Sequence, residues 1–363
     1  MMNSFFIGNK EIRLPIIQGG MGVGVSLSGL ASAVANEGGV GVISSAGLGL
    51  LYNENPGDYA GNSIVGLKEE LRKAREKTDG IIGVNIMVAI TNFSDMVQTA
   101  IAEKADIIFS GAGLPLDLPS YLTPDSKTQL VPIVSSARAA KVICEKWLTG
   151  YDYLPDAIVV EGPKAGGHLG FKKEQIESES NSLEHLVPEV VAVAKQYEGR
   201  KSIPVIAAGG ISTGEDIYRF MELGATGVQL GSIFVTTDEC DASAAFKQAY
   251  IDASQHDAII IQSPVGMPGR AFDSAFIRSV NLGNEKPVGC PYHCIKTCDY
   301  TTSPYCIIKA LYHAAKGNMN KGYAFAGANA YLADRISSVK EVIAKLKYEF
   351  AVASKKAIIN ITT

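Results

Sequence analysis

The stretch Ala157-Ile158-Val159-Val160-Glu161-Gly162-Pro163-Lys164-Ala165-Gly166-Gly167-His168-Leu169-Gly170 decides the fold. Its first four residues are apolar without alternation, so a strand built from them is covered on both faces, as in a parallel sheet. The strand then runs into a turn with four glycines in nine residues. A backbone without Cβ atoms can come close to a flat or anionic ligand there. An imidazole in such a turn can move a proton near neutral pH.

Seven further runs have the same character, each rich in Val or Ile and ending in Gly, Ser or Asn. They are 16–21 (IIQGGM), 40–45 (VGVISS), 81–86 (IIGVNI), 106–111 (DIIFSG), 131–136 (VPIVSS), 204–210 (PVIAAGG) and 227–232 (GVQLGS). Between them lie helical patterns at 27–36, 69–77, 94–104, 137–147, 184–196 and 214–223. Ser26 and Ser94 are expected to cap the first and third of these, and Gly224 to close the last. Eight strand–helix alternations predict an α/β fold, a (β/α)8 TIM barrel. An open doubly wound sheet is the competing architecture, but Gly20, Gly22 and Gly24 match a dinucleotide fingerprint only in part.

After the eighth strand the pattern breaks for about ninety residues before a final amphipathic helix at 339–351. That block holds a helix at 242–254, the loop SPVGMPGR at 263–270 and a cluster of cysteines. A connection of this length predicts a lid or subdomain. The expected division is therefore a barrel at 1–235, a cap at 236–326 and a completing helix at 327–363.

Composition narrows the function class. A hydrophobic content of 47% against 19% charge supports a large core, and a net charge of −4 with scattered Lys and Arg supplies no basic face for nucleic acid or membrane. No apolar run approaches the ~18–20 residues that span a bilayer, and the first fifteen residues lack a signal-peptide pattern. The expectation is a cytoplasmic enzyme, with an exposed cap that leaves room for a homodimer.

In this fold the C-terminal strand ends form the mouth of the site. Gly209-Gly210 and Gly231-Ser232 fall at the ends of the seventh and eighth strands, where backbone N–H groups cradle phosphate. These glycines could also simply turn the chain. A lone histidine is more often structural than catalytic, but His168 in a glycine turn at a strand end is the exception worth testing. Arg270 is expected at a ligand or on the surface, in equal measure.

Cys290, Cys294, Cys298 and Cys306 place four thiols within seventeen residues, a supply that suits an iron–sulfur cluster or tetrahedral zinc. Their spacing matches neither the ferredoxin pattern nor paired CxxC motifs. If 290–298 is helical, the first three share one stripe and pack as ordinary core. His293 could replace one of the ligands, but is expected to be a bystander.

The blocks LPIIQGGMG, GVNIMV, EGPKAGGHLG, IPVIAAGGIS and GVQLGSIF, in this order over about residues 12–235, resemble the nitronate monooxygenase family, formerly 2-nitropropane dioxygenases. Flavin-dependent enoyl-acyl-carrier-protein reductases belong to the same group. Gly327-Ala328-Asn329 resembles a displaced late glycine turn of that family, whereas the cysteine cluster departs from its pattern. The resemblance implies a TIM barrel with noncovalent FMN, held by Gly20, Met21, Gly22, Asn85, Glu161, Lys164, Gly166, Gly167, Gly209, Gly210, Gln229, Gly231 and Ser232. It implies His168 near the reactive face of the flavin. By position, Glu161 at the end of strand six is expected to orient the loop, and Lys164 either to draw in an anionic nitronate or a phosphopantetheine arm or to stand solvated. Two reactions are then expected: oxidation of alkyl nitronates or nitroalkanes with O2, or NAD(P)H-dependent reduction of an enoyl thioester. A phosphate-binding barrel without turnover is the non-enzyme alternative.

Overall fold

The computed structural model describes residues 2–362. Eight strands, β1 (Ile16–Gln18), β2 (Val40–Ser44), β3 (Ile81–Met87), β4 (Ile107–Gly111), β5 (Gln129–Val134), β6 (Ile158–Glu161), β7 (Val205–Ala208) and β8 (Gly227–Leu230), form one closed barrel. Every neighbouring pair is parallel, and β8 closes on β1 through Val228 opposite Ile16 and Gln229 opposite Ile17. The fold is a TIM barrel, and each of the eight expected strands is present.

Alternate residues explain the unbroken apolar runs. Ile206 and Ala208 of β7 pack inside with Ile17, Val42, Phe109, Val131 and Val159. Val205 and Ala207 of the same strand belong to the layer between sheet and helices. Both faces are dry, so apolar residues prevail on each. The barrel floor is filled by an N-terminal hairpin, Phe5–Ile7 with Lys10–Ile12, whose Phe5, Ile7 and Ile12 join the inner cluster. No sequence pattern announced it.

The outer helices include Ser28–Asn36, Tyr59–Lys77, Phe93–Ala102, Ala137–Tyr151, Leu183–Lys195 and Gly214–Glu222. Two expected caps are overturned. Ser26 turns its hydroxyl to the Met21 N–H (2.8 Å), and the first helix is capped by the distant Asp241 carboxylate, which accepts from Leu27 N (2.7 Å) and Leu30 N (3.1 Å). Ser94 lies inside the helix Phe93–Ala102, whose N-cap is Asn92. At the first helix a side chain remote in sequence takes the role assigned to the serine, and at the other no side chain caps the helix. Gly224 does end its helix, at a φ of +101°.

The long block leaves and re-enters the barrel at adjacent points. Thr237 bridges Ser337, and Asp238 N donates to Ser337 O (2.9 Å). Within it are the helices Ala244–Ile251, Ala275–Asn281 and Ile307–Ala315 and an antiparallel hairpin, Ala258–Gln262 with Pro268–Phe272. The last helix, Val339–Thr362, packs along Gly214–Glu222 so closely that a Cβ on Gly214 would lie 2.2 Å from Leu346 O.

The cysteine stretch is not helical between 290 and 302, so the one-stripe packing is overturned. Nor does the structure support metal ligation. Among the described residues no three His, Cys, Asp or Glu side chains gather to hold an ion, and all four thiols are free. Burial, reinforced by the neighbouring thiols, pushes Cys294 up to about 12, so it is a neutral thiol at pH 7. The stretch instead straps the loop after β3: Thr91 N donates to Cys294 O (3.2 Å) and Thr91 Oγ1 to His293 O (2.6 Å). Among the described residues no helix is long and apolar enough to cross a membrane.

Candidate active site

A cavity of about 270 Å³ opens at the C-terminal ends of the strands, and every strand contributes to it. Gly19 follows β1; Ser44, Asn85, Gly111, Ile133, Glu161, Ala208 and Gln229 come from β2 to β8 in turn. The thirteen residues expected around a cofactor, and His168, all line this one cavity.

At one end the glycine turns after β6, β7 and β8 meet a fourth segment. Gly209 and Gly210 adopt φ of +97° and +82°, a region open to glycine at little cost. Gly327 N donates to Ser232 Oγ (3.0 Å), Ala328 N to Lys164 O (3.0 Å) and Asn329 Nδ2 to Gly210 O (2.6 Å). The Gly327–Asn329 turn therefore locks three strand-end loops together. There is no room for side chains between them. A Cβ on Gly166 would lie 2.6 Å from Gly327 N, and one on Gly210 2.7 Å from Lys164 Cβ. At the other end a Cβ on Gly20 would lie 2.3 Å from Asn85 Cβ, so that glycine lets β3 close on β1.

Glu161 brings its carboxyl to the cavity wall. Burial alone raises it to about 7. It lines the cavity directly.

His168 is held from two sides. Its backbone pairs with Gly269 of the hairpin, and Leu169 N donates to Pro268 O (2.9 Å). Its Nε2 lies 2.7 Å from Ser263 Oγ, and its ring meets Phe325 edge-on at 5.0 Å. Burial pushes its pKa down to about 4, so the imidazole is neutral at pH 7. Gly167 precedes it at φ +84°, the conformation that turns the ring into the wall.

Arg270 is neither a cavity residue nor a surface one. It is 8% exposed and donates from Nη2 to Pro163 O (3.0 Å), pinning the loop after β6 from behind, while its Nε finds no partner in the protein. Desolvation lowers its pKa.

Sequence reasoning missed the rest of the enclosure. Phe246, Tyr250, Leu311, Tyr323 and Phe325 from the long block wall the cavity opposite the barrel. Tyr250 Oη donates to Phe325 O (2.5 Å), and the Tyr323 and Phe325 rings pack edge to face at 5.2 Å. Nothing in the sequence joins them, because they come from three separate pieces of chain, the helices Ala244–Ile251 and Ile307–Ala315 and the stretch 323–325. Ser263 stands in a loop singled out in the sequence, but its partner is 95 residues away.

Comparison with known proteins agrees with this architecture. A probable nitronate monooxygenase of Staphylococcus aureus (strain Newman) is 27% identical over 307 residues, covering 75% of this chain and 78% of that protein. The solved structure of FabK from Thermotoga maritima superposes with a TM-score of 0.71 at 27% identity over 94% of each chain. A nitroalkane oxidase from Streptomyces ansochromogenes shares the fold at a TM-score of 0.72 and 21% identity, over 95% of this chain and 98% of its own. The nitronate monooxygenase family model matches residues 3–104 and 72–349, nearly the whole chain. The chain belongs to the nitronate monooxygenase family.

Proposed function

We propose that this oxidoreductase binds FMN and oxidises alkyl nitronates or nitroalkanes with O2. The observation that carries the reading is a neutral, rigidly held imidazole in the wall of a cavity whose opposite ends suit a flat ring and a phosphate. The fit to FMN rests on shape. Gly20 and Asn85 make a bare bed at one end, and Gly166, Gly209 and Gly210 make a cradle at the other in which added Cβ atoms would clash. When bound, FMN supplies the redox chemistry between substrate and oxygen.

The chain's own residues do the remaining work. Gly209, Gly210, Gly231 and Ser232 offer N–H groups and a hydroxyl to phosphate. The exposed Lys164 at the rim attracts an anionic substrate. His168 holds or moves a proton beside the substrate carbon or oxygen, and Phe246, Tyr250 and Phe325 exclude water.

The same aromatic wall favours a second reading, NAD(P)H-dependent reduction of an enoyl thioester, since it would accept an acyl chain. A purified protein that shows a flavin spectrum and consumes oxygen with propionate-3-nitronate or nitroethane supports the first. Oxidation of NADH by a short enoyl thioester without nitronate turnover supports the second. A colourless protein that cannot take up FMN ends both and leaves a binding barrel. His168→Asn with undiminished turnover of a neutral nitroalkane would remove the base role.

A further inference from the structure

We infer that Ser263 is a positioning residue that fixes the tautomer of His168, so that the resting imidazole is protonated at Nδ1 and presents an N–H donor to the ligand. The inference rests on hydrogen-bond accounting at one buried hydroxyl. Ser263 is 3% exposed. Its Oγ carries one hydrogen and two acceptor positions. Val265 N donates into it at 3.4 Å, as the hairpin turn 263–267 closes through Ser263 N to Met267 O (3.1 Å) and Gly266 N to Ser263 O (3.0 Å). One acceptor position is therefore filled by the backbone. A hydroxyl hydrogen shut away from water needs an acceptor, and the one placed for it is His168 Nε2 at 2.7 Å.

If the imidazole instead donated from Nε2, both acceptor positions of Oγ would be filled and its hydrogen would be stranded. That loss biases the tautomers by about tenfold or more. Ser263 does not line the cavity, so Nε2 is turned away from the ligand space and Nδ1 is the ring nitrogen left to meet a ligand. An N–H there suits hydrogen bonding to a nitronate oxygen, or to the oxygen of a thioester as negative charge grows on it. For His168 to take a proton at Nδ1, its own proton must first leave, and Ser263 must rotate to accept from Nε2. The hairpin around Ser263 thus decides which half of acid–base chemistry the resting site is ready for. This deepens the function proposed above, but the tautomer can be read without turnover.

The test is nitrogen-15 spectroscopy of the FMN-loaded protein labelled at histidine, with His168 assigned by its absence in His168→Gln. Long-range proton–nitrogen correlations near pH 7 should show His168 with Nδ1 protonated and Nε2 bare. A protonated Nε2 overturns the inference whatever the enzyme turns over. Ser263→Ala should mix the two tautomers and lower kcat about tenfold with a smaller change in KM. Ser263→Thr, which keeps the hydroxyl, should restore both the spectrum and the rate. If Ser263→Ala leaves the His168 signals unchanged, Ser263 does not set the tautomer. If the spectra are as expected but no nitronate is oxidised, the proposed reaction fails and the assignment of Ser263 stands.

Discussion

Glu161 and His168 face the same cavity, and burial moves their pKa values in opposite directions. In the folded protein Glu161 keeps its proton to about pH 7, whereas the unfolded chain releases it near the ordinary 4.5. Between these values the native state binds the extra proton. Stability held in the protonated carboxyl is therefore whole below about 4.5 and is lost as pH rises through 7. His168 behaves the other way. It stays neutral down to about 4 while the unfolded chain charges below 6.5, so acidification through that window costs stability. Melting temperatures of Glu161→Gln should therefore gain on the parent protein steadily from about pH 4.5 to 7. A difference that stays flat across that range would show that Glu161 is not held protonated. The residue types were legible in the sequence, since a carboxyl and an imidazole at a strand end are visible there. Their electrostatics were not, because burial sets both shifts, and part of what buries His168 is Phe325 from the long block.

At the scale of elements, the eight strands were legible because each is dry on both faces and ends in glycine or a small polar residue. That is a local property of the chain. Helix starts were less so. The helix Ser28–Asn36 has no side-chain cap of its own. Asp241, just past the barrel, takes Leu27 N, Gly29 N and Leu30 N, and the buried Glu70 takes Ser28 N at 2.7 Å. A carboxylate at a helix N-terminus also meets the positive end of the helix dipole. Asp241→Ala should cost about 1 kcal/mol in chemical denaturation, and Asp241→Asn, which keeps an acceptor oxygen, clearly less. Equal losses from both variants would assign the effect to charge alone, and no loss from either would remove Asp241 as a cap. The hairpin beside His168 escaped sequence reading for the same reason as this cap. Its partner strand is only Gly167–His168, two residues with no strand pattern.

For the molecule as a whole, the question is whether the barrel and the long block unfold together. The block has a core of its own, in which Phe276 packs against Tyr305 (5.4 Å, edge to face) and Tyr323 (6.2 Å, stacked). A second cluster ties it to the barrel through Val25, Cys240 and Phe246. The barrel carries an internal reporter in Trp147, the sole tryptophan. It is fully buried on the helix Ala137–Tyr151, with Nε1 donating to Pro115 O (2.9 Å). Removing the Phe276 ring should cost roughly 3–5 kcal/mol where it is packed. We expect the block to act as a separate cooperative unit, so Phe276→Ala should shift a first urea transition that releases the cavity wall and any flavin. The later transition, followed by Trp147 fluorescence, should keep its midpoint. If both transitions move together, the division into barrel and cap is only topological, and the aromatic wall shares the stability of the strands beneath it.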